Sequence, residues 1–403
     1  MRPRIVRSQH LVAFGAMCTV ALAVLGQQNP SRSFGPGQCG PVDPAYISTA
    51  NATGGVPLFL QRSEAGKAMQ LMRESTRPNT STVLWASAKL SGLPQSFEIP
   101  VDSSMQRITF TFSVDTKGNT LLLKRPDGQV VSEGSERTED TELNCGRIIT
   151  VGKPEPGTWR ADVNGSGTYW LAAEGQSEIY FIKAEFVELG GRPGHQGLFR
   201  IQGQPIAGQP AILQVSVSAS EAKTTEFDFV SERGELLEKV RMKVTDPDRE
   251  FLEFTGDVMP PAVPFRIAVK GIDAKGMKYQ RFDTPLLRTA TVRVIPKLDF
   301  DEIAPGTNKE AVLEVMNLGP ARNFKVMVTD TKRWVSAVKP TELSIAEHGS
   351  GFVHVVLAVP GGAKPYSDDD LVIVANSTSG EATTNSAIVR LQVAGGSASS
   401  PDH

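Results

Sequence analysis

The chain of 403 residues is 40% apolar and 21% charged, with 42 lysines and arginines against 44 aspartates and glutamates. This near-neutral balance excludes the strongly basic field that attracts nucleic acid. Three cysteines and five histidines leave little material for a metal or thiol site and argue against an enzyme. At roughly 100–150 residues per domain, the length predicts two to four domains, each with its own core.

Residues 1–26 have the pattern of a secretory signal peptide. Residues 1–10 carry three arginines and no acid, and an apolar run of sixteen residues follows from Leu11 to Gly26. The alternative is an uncleaved membrane anchor, but this run is shorter than the roughly 20 residues needed to span a bilayer. We therefore expect cleavage after Gly26 and a chain that is secreted or held at the cell surface, without stable membrane insertion.

Cleavage would leave two cysteines, Cys39 and Cys145. An isolated pair is readily oxidised outside the cytosol, so a Cys39–Cys145 disulfide is our hypothesis. It would close a loop of about 105 residues and stabilise the fold by roughly 4–5 kcal/mol on the chain-entropy model. The alternative is two unpaired thiols.

The next two segments differ from the rest of the chain in composition. Residues 27–42 are rich in Pro, Gly and Ser, which predicts a disordered lead-in. Within 43–95, apolar residues at spacings of three and four predict one helix at about 63–75.

From Thr82 onward the apolar residues recur with the period of two that is typical of strands. The run TLLLKRPDGQVV indicates a hairpin, and turn residues recur about every ten positions beyond it. A break at GRPGHQG and another near Lys297 divide the strands into three groups. The pattern predicts an all-β fold of three tandem β-sandwiches, at 96–190, 191–296 and 297–395, followed by a tail at 396–403.

Two stretches resemble a known family. YISTANATGG at 46–55, before an apolar strand, resembles the end of a von Willebrand factor A domain. The runs SEAGKAMQLMRESTRPNTSTVLWA, NTLLLKRPDGQVV and EPGTWRADVNGSGTYWLAAEGQSEI are similar to the region after that domain in hemicentins and in von Willebrand factor A domain-containing protein 7. The likeness spans about 45–295 and implies a galactose-binding-like sandwich at 96–190 and an immunoglobulin-like module at 191–296. The third sandwich, with APGTNKEAVLEVMNLGP, resembles generic immunoglobulin- or fibronectin-like modules.

The sequence departs from that family because the A domain itself, with its Asp-x-Ser-x-Ser metal site, is missing. The nearest fragment, Asp102-Ser103-Ser104, has the wrong spacing. The resemblance therefore implies no metal-dependent adhesion, and "galactose-binding-like" describes a fold and not a ligand.

A hydrolase would need a nucleophile near a base and an orienting acid. After cleavage the chain offers His195, His348, His354 and the terminal His403, and it has no Gly-x-Ser-x-Gly or His-Glu-x-x-His motif. We expect no catalytic function.

Calcium is the one cofactor to consider, because oxygen ligands alone can bind it. Short acidic clusters occur at 139–142, 246–250 and 368–370, but none has the spacing of an EF-hand loop. Solvated turn residues are the simpler interpretation, so no cofactor is predicted and calcium remains the alternative.

Trp159 and Trp170 would form a sugar-stacking surface if they were exposed. Both lie in alternating strands, where an aromatic side chain usually packs in the core, and we favour that interpretation. Four Asn-x-Ser/Thr triplets begin at Asn51, Asn79, Asn164 and Asn376. Asn164 lies in a Gly-Ser-Gly turn and is expected to be the most accessible of the four.

These observations predict a secreted, non-catalytic binding or adhesion protein that presents tandem β-sandwich modules to an extracellular protein partner. One alternative is a carbohydrate-binding protein that uses the first sandwich and binds a glycan. Another is a structural spacer in an extracellular assembly.

Overall fold

The computed structural model describes residues 44–191, 194–218, 223–246, 251–300 and 302–395, together with Cys39 and the backbone of Leu22–Val24. These residues fold mainly into β-strands, which confirms the predicted all-β class. No helix within the described ranges is long and apolar enough to cross a membrane. Most of the predicted signal peptide and lead-in, and the predicted tail, lie outside the described residues.

Two helices precede the first sandwich. The predicted helix, α2, runs over Ala65–Ser75 after a 3-10 turn at Arg62–Glu64. A second helix, α1, runs over Pro44–Thr53 and was not predicted from periodicity. It ends at a turn where Gly54 has a φ of +78° and lies so close to the Thr284 backbone that a side chain would collide with it. Two short parallel strands complete this segment: β1 (Leu22–Val24) and β2 (Leu58–Leu60).

The first sandwich consists of two antiparallel layers. One has the strand order β3-β10-β5-β8-β7 and the other β4-β9-β6. Its strands are β3 (Thr80–Ser91), β4 (Gln95–Val101), β5 (Arg107–Val114), β6 (Thr120–Lys124), β7 (Thr138–Leu143), β8 (Gly146–Gly152), β9 (Gly157–Asn164) and β10 (Ser166–Gln176).

The centre of the five-stranded layer of this sandwich is buried on both faces. Along β5, the apolar Phe110 and Phe112 alternate with polar Thr109 and Thr111, yet all four side chains are buried. Gln70 of α2 donates to Thr150 Oγ1 at 3.2 Å, and that hydroxyl lies 3.0 Å from the hydroxyl of Thr109. The helical segment therefore covers the second face, and hydrogen bonds satisfy the polar groups that it buries.

The following strands divide between two sheets. A five-stranded sheet has the order β12-β11-β13-β17-β16, whereas β15-β14-β18-β19 extends the first layer into a nine-stranded sheet. The extension joins at one residue pair, Phe282 of β19 with Thr82 of β3. These strands are β11 (Phe181–Gly190), β12 (Gly197–Arg200), β13 (Ala211–Val217), β14 (Lys223–Ser231), β15 (Leu236–Val240), β16 (Lys243–Asp246), β17 (Leu252–Val258), β18 (Phe265–Ile272) and β19 (Lys278–Phe282).

The last sandwich packs the sheet β20-β22-β26-β24 against the sheet β21-β28-β27-β23-β25. Residues such as Val315, Phe324 and Val355 form its core. Its strands are β20 (Val292–Lys297), β21 (Glu302–Ile303), β22 (Asn308–Asn317), β23 (Arg322–Thr329), β24 (Val335–Lys339), β25 (Glu342–Ile345), β26 (Ser350–Ala358), β27 (Asp368–Ser377) and β28 (Thr384–Val393).

The chain forms two compact units that do not follow the order of the modules. The first comprises residues within 1–182, 217–239 and 266–286, and the second comprises residues within 183–216, 240–265 and 287–403. The strands between 191 and 296 thus contribute to both units, which the spacing of strands along the sequence does not indicate.

Cys39 and Cys145 form the expected disulfide, with a sequence separation of 106 residues. The bond attaches the chain ahead of α1 to the turn between β7 and β8, and the Cys39 N–H donates to the Asp115 carbonyl at 3.0 Å. A closed loop of this length stabilises a fold by about 4–5 kcal/mol when its effect is on the entropy of the unfolded chain.

A buried ion pair joins β19 to the first sandwich within the first unit. Arg281 and Asp102 have no solvent exposure, and the guanidinium donates to the Asp102 carboxylate, to Ser177 Oγ at 2.7 Å and to the Ile179 carbonyl at 2.7 Å. Burial alone would raise the pKa of Asp102. The charge of Arg281 and a hydrogen bond from Ser104 outweigh burial, so this pKa lies below its ordinary value.

A second buried arginine, Arg266 of β18, holds the end of α1. Its guanidinium stacks over the Trp85 ring, with its central carbon 3.9 Å from the ring centroid. It donates to the carbonyls of Thr284 and Asn51, the latter in the last turn of α1. Burial lowers the pKa of Arg266 to about 10, so the group stays charged at neutral pH and interacts favourably with the helix C-terminus.

Replacing Arg281 by methionine should lower the free energy of unfolding at pH 7 by about 3–5 kcal/mol, because the substitution leaves Asp102 buried without its counter-charge. Since the native pKa of Asp102 lies below its unfolded value, the pair contributes its full stability above about pH 4, and this contribution is lost as the pH falls. The deficit of Arg281→Met should therefore shrink at acid pH, as measured by urea unfolding across a pH series. Arg390→Met, which removes an exposed pair with Asp370, is the control and should change little. A deficit that does not depend on pH would contradict the assigned role of the pair.

Candidate functional site

The two tryptophans singled out from the sequence are buried in the first sandwich. Trp159 stacks on Phe110 with a centroid distance of 5.8 Å, and its indole N–H donates to the Glu155 carbonyl at 2.9 Å. Trp170 packs against Phe59, and its N–H donates to Asn51 Oδ1 at 3.2 Å. Sugar stacking needs an exposed ring face, and neither tryptophan has one.

The described histidines lie at the surface. His195 and His348 are exposed, and Nε2 of His348 lies 3.8 Å from the carboxylate of its neighbour Glu347. Nδ1 of His354 in β26 contacts the Glu310 carboxylate in β22, and both side chains are more than half exposed. Cross-strand contacts of this kind are ordinary surface ion pairs when the histidine is protonated.

Several carboxylates of the clusters at 139–142 and 368–370 have protein partners. Asp369 accepts from Thr331, Asp370 pairs with Arg390, and Asp140 pairs with Arg147. In the cluster at 246–250, the last four residues lie outside the described ranges. Among the residues that the structure does describe, no group of three or more histidine, cysteine or carboxylate side chains could hold a metal ion.

A cleft of about 640 Å³ lies in the second unit, and we call it the β20/β28 cleft. Sequence reasoning did not identify it. Its walls are residues 187–189 of β11, the connection at 201–206, residues 209–212 at and just before the start of β13, residues 293–296 of β20 and residues 385–388 of β28. These segments come from three separate regions of the sequence, at 187–212, 293–296 and 385–388, which meet in the folded chain.

Two open strand edges meet at this cleft. β20 is an edge strand of its sheet and pairs only with β22 in the strand order. β28 pairs on one side with β27 along its length. On its other side β28 pairs with β21 only at Gln392 and Val393. An open edge exposes backbone donors and acceptors to which another polypeptide can bind.

Side-chain amides satisfy part of the open edge of β28. Gln202 accepts the Ile388 N–H at 2.6 Å, and Asn385 Oδ1 accepts the N–H groups of Ser386 at 2.9 Å and of Gln204 at 2.8 Å. Asn385 Nδ2 donates to the carbonyls of Gln204 and Val292 at 3.2 and 2.9 Å. The buried amide of Asn385 thus ties the 201–206 connection to both β20 and β28.

The surface of the cleft combines apolar and polar groups. Leu189 is 78% exposed and Ile388 is 46% exposed, although both are large apolar residues. Arg293 donates to Gln209 Oε1 at 3.0 Å and is itself exposed, and Glu188 also lines the cleft. Apolar side chains surrounded by hydrogen-bonding groups are the usual composition of a binding surface.

We expect Asn385→Leu to lower the free energy of unfolding by about 1–3 kcal/mol, because the two carbonyls and the Gln204 N–H then lack their buried partner. The matched control is Gln202→Ala, which removes a more exposed amide from the same connection and should cost less. Urea unfolding of the full chain measures both. Equal losses for the two variants would show that Asn385 has no special role at the cleft.

Two family models match separate parts of the chain. Residues 81–178 match the model described as "Hemicentin galactose-binding domain-like", and residues 294–395 match the "VWA7 Ig-like domain". The cleft lies partly on the second of these domains, since β20 and β28 belong to it.

The curated relatives include hemicentin-1 of mouse, 23% identical over 59% of this chain, and hemicentin-1 of human, 22% identical over 65% of it. This chain covers only 4% of the length of each. Matching solved structures include Escherichia coli alpha-2-macroglobulin activated by porcine elastase, with 10% identity, coverage of 77% of this chain and 32% of that chain, and a TM-score of 0.25. Another is the mouse nectin-like molecule 4 ectodomain, with 10% identity, coverage of 75% and 95%, and a TM-score of 0.18. TM-scores this low have no functional meaning.

The sequence matches therefore confirm the predicted resemblance. The chain carries a galactose-binding-like domain of the hemicentin type and an immunoglobulin-like domain of the VWA7 type, and it is similar to a small part of hemicentin-1.

Proposed function

We propose that this chain is a secreted, non-catalytic binding protein of the adhesion type and that it engages an extracellular protein partner through the β20/β28 cleft. The observation that carries the proposal is the cleft itself, with two open strand edges and exposed Leu189 and Ile388 at one surface.

Two further observations support an extracellular setting. The Cys39–Cys145 disulfide is of the kind that persists in oxidising compartments. Residues 81–178 match the hemicentin galactose-binding domain-like model, and the chain is similar to part of hemicentin-1, the family that the sequence resemblance implies.

The composition of the cleft favours a polypeptide over a sugar as the partner. An extended segment could add to the edge of β20 or β28 through main-chain hydrogen bonds, with apolar side chains against Leu189 and Ile388. Sugar recognition commonly uses an exposed aromatic face, and the five lining segments contain no aromatic residue.

The test is a titration of the fluorescently labelled full chain against intact cells from the source organism. Ile388→Asp and Arg293→Glu should each weaken binding about tenfold or more if the cleft holds a central contact. Met327→Asp is a matched control, because Met327 in β23 is also 46% exposed and lies outside the lining segments.

The same titration separates the classes of partner. Protease treatment of the cells should abolish binding, whereas glycosidase treatment should leave it intact. Binding lost only after glycosidase treatment would support the carbohydrate-binding alternative. No binding in any condition would support the spacer alternative and reject the proposed function.

A further inference from the structure

The asparagines of the four Asn-x-Ser/Thr triplets differ in their solvent exposure and in the hydrogen bonds that their side chains make. An asparagine that carries a sugar needs its amide in solvent, because the attached glycan is bulky and hydrophilic. The sequence pattern is the same at all four positions, so only the folded environment distinguishes them.

Two of the asparagines have amides that are engaged within the protein. Asn51 is half-buried in α1, where its Oδ1 accepts from the Trp170 indole and its carbonyl accepts from Arg266. Asn376 is also half-buried, and its Oδ1 accepts from Thr384 Oγ1 at 2.6 Å on the neighbouring strand. A glycan at either position would compete with these contacts.

Asn164 has the opposite environment. It is exposed at the last position of β9, with the buried Val163 before it, so its side chain lies on the outer face of the three-stranded layer. The turn that follows holds the triplet in a fixed conformation. Asn119 accepts the Ser166 N–H at 2.6 Å and donates to the Ser166 carbonyl at 2.7 Å.

The middle residue of that triplet is glycine for a physical reason. Gly165 has a φ of +136°, and a Cβ there would lie 1.7 Å from Asn119 Oδ1. Backbone groups of the triplet therefore hold the turn, and the side chains of Asn164 and Ser166 are exposed.

Asn79 is also exposed, although Ser81, the third residue of its triplet, is buried and accepts the Phe181 N–H at 3.1 Å. It lies in the turn between α2 and β3 with a φ of +58°, a conformation that asparagine tolerates better than most residues. Its backbone carbonyl accepts the Ser177 N–H at 3.2 Å, so this contact does not involve the side-chain amide. Within the described part of the chain, no hydrogen bond to the side-chain amide of Asn79 or Asn164 is present.

We propose that Asn164 and Asn79 are N-glycosylation sites and that Asn51 and Asn376 stay unmodified. This inference rests on the export proposed above, which would bring the chain to a lipid-pyrophosphate-linked oligosaccharide. The side-chain amide nitrogen bonds to the anomeric carbon of the first sugar. The carbon–oxygen bond to phosphate breaks, the lipid pyrophosphate leaves, and the amide loses one proton.

The glycan at Asn164 would cover one face of the first sandwich. Asp162 and Arg160 lie on the same strand and point to the same side, where Asp162 is held by Ser96 at 2.6 Å and by Lys124 at 3.0 Å. The charges on this face already pair with one another. A sugar chain beside them leaves the face solvated and removes it as a surface for protein contact.

The test is expression of the full chain in eukaryotic secretory cells, followed by peptide mapping of the protein in the medium. Treatment with a peptide-N-glycosidase, which converts each glycosylated asparagine to aspartate, should mark the peptides of Asn164 and Asn79 and leave those of Asn51 and Asn376 unchanged. Unmarked Asn164 and Asn79 peptides in the exported protein, or marked Asn51 and Asn376 peptides, would overturn the inference.

The variants are chosen to keep the local backbone. Asn164→Gln and Ser166→Ala should each remove one glycan from the intact mass, whereas Ser166→Thr should retain it. Asn79→Gly removes the other glycan attachment site, and glycine adopts the positive φ of this position without strain. A mass unaffected by Asn164→Gln and Asn79→Gly would contradict the assignment.

Export and glycosylation can fail separately. If the chain does not reach the medium, the proposed function fails, and a second chain carrying a well-characterised cleavable leader ahead of Met1 then tests the acceptor sites. Glycan-free protein exported by that leader would overturn the inference on its own.

Discussion

The buried pair of Arg281 and Asp102 is the interaction on which the first compact unit depends. Strand β19 joins the first sandwich through a single backbone-paired position, Phe282 with Thr82, so backbone pairing alone is a weak connection. Arg281 compensates by donating to a carboxylate, a hydroxyl and a carbonyl that the first sandwich provides. Burying such a charge costs less free energy when its donors have partners, and the partners of Arg281 define the position of β19.

Arg266 serves a parallel purpose for the helical segment. Its stacking on Trp85 and its bond to Asn51 attach the end of α1 to β18, while Gly54 allows a close approach to the Thr284 backbone after β19. The two arginines thus connect three parts of the sequence: α1, the first sandwich and the pair β18–β19. All of these strands except those of the three-stranded layer belong to one nine-stranded sheet, whose strands come from widely separated parts of the chain.

The strand content and the position of α2 could be predicted because both depend on local periodicity. The helix α1 was missed, since its sequence PAYISTANAT has little amphipathic pattern and its stability comes from tertiary contacts. The threonines of β5 have the pattern of a solvent-facing row, yet they are buried because α2 covers them and hydrogen bonds satisfy them. Local sequence carries no signal for such a cover.

The β20/β28 cleft was not predictable for a related reason. Gln202, Gln204 and Asn385 look like ordinary loop and strand-end residues, and their amides acquire a role only when the connection lies against β28. Neither histidine spacing nor acidic runs pointed to it, because binding by strand edges needs no particular side-chain chemistry. The disulfide could be proposed from the sequence because only two cysteines lie outside the predicted signal peptide.

That disulfide has a mechanical consequence for a protein pulled from its ends. Tension applied ahead of Cys39 passes through the sulfur–sulfur bond to Cys145 and continues along the chain from there. The covalent loop between them, which contains α1, α2 and the strands from β2 to β7, carries no direct load. These elements would keep their fold while strands outside the loop extend, so Arg281 and Arg266 would bear the force that separates β18 and β19 from the protected region.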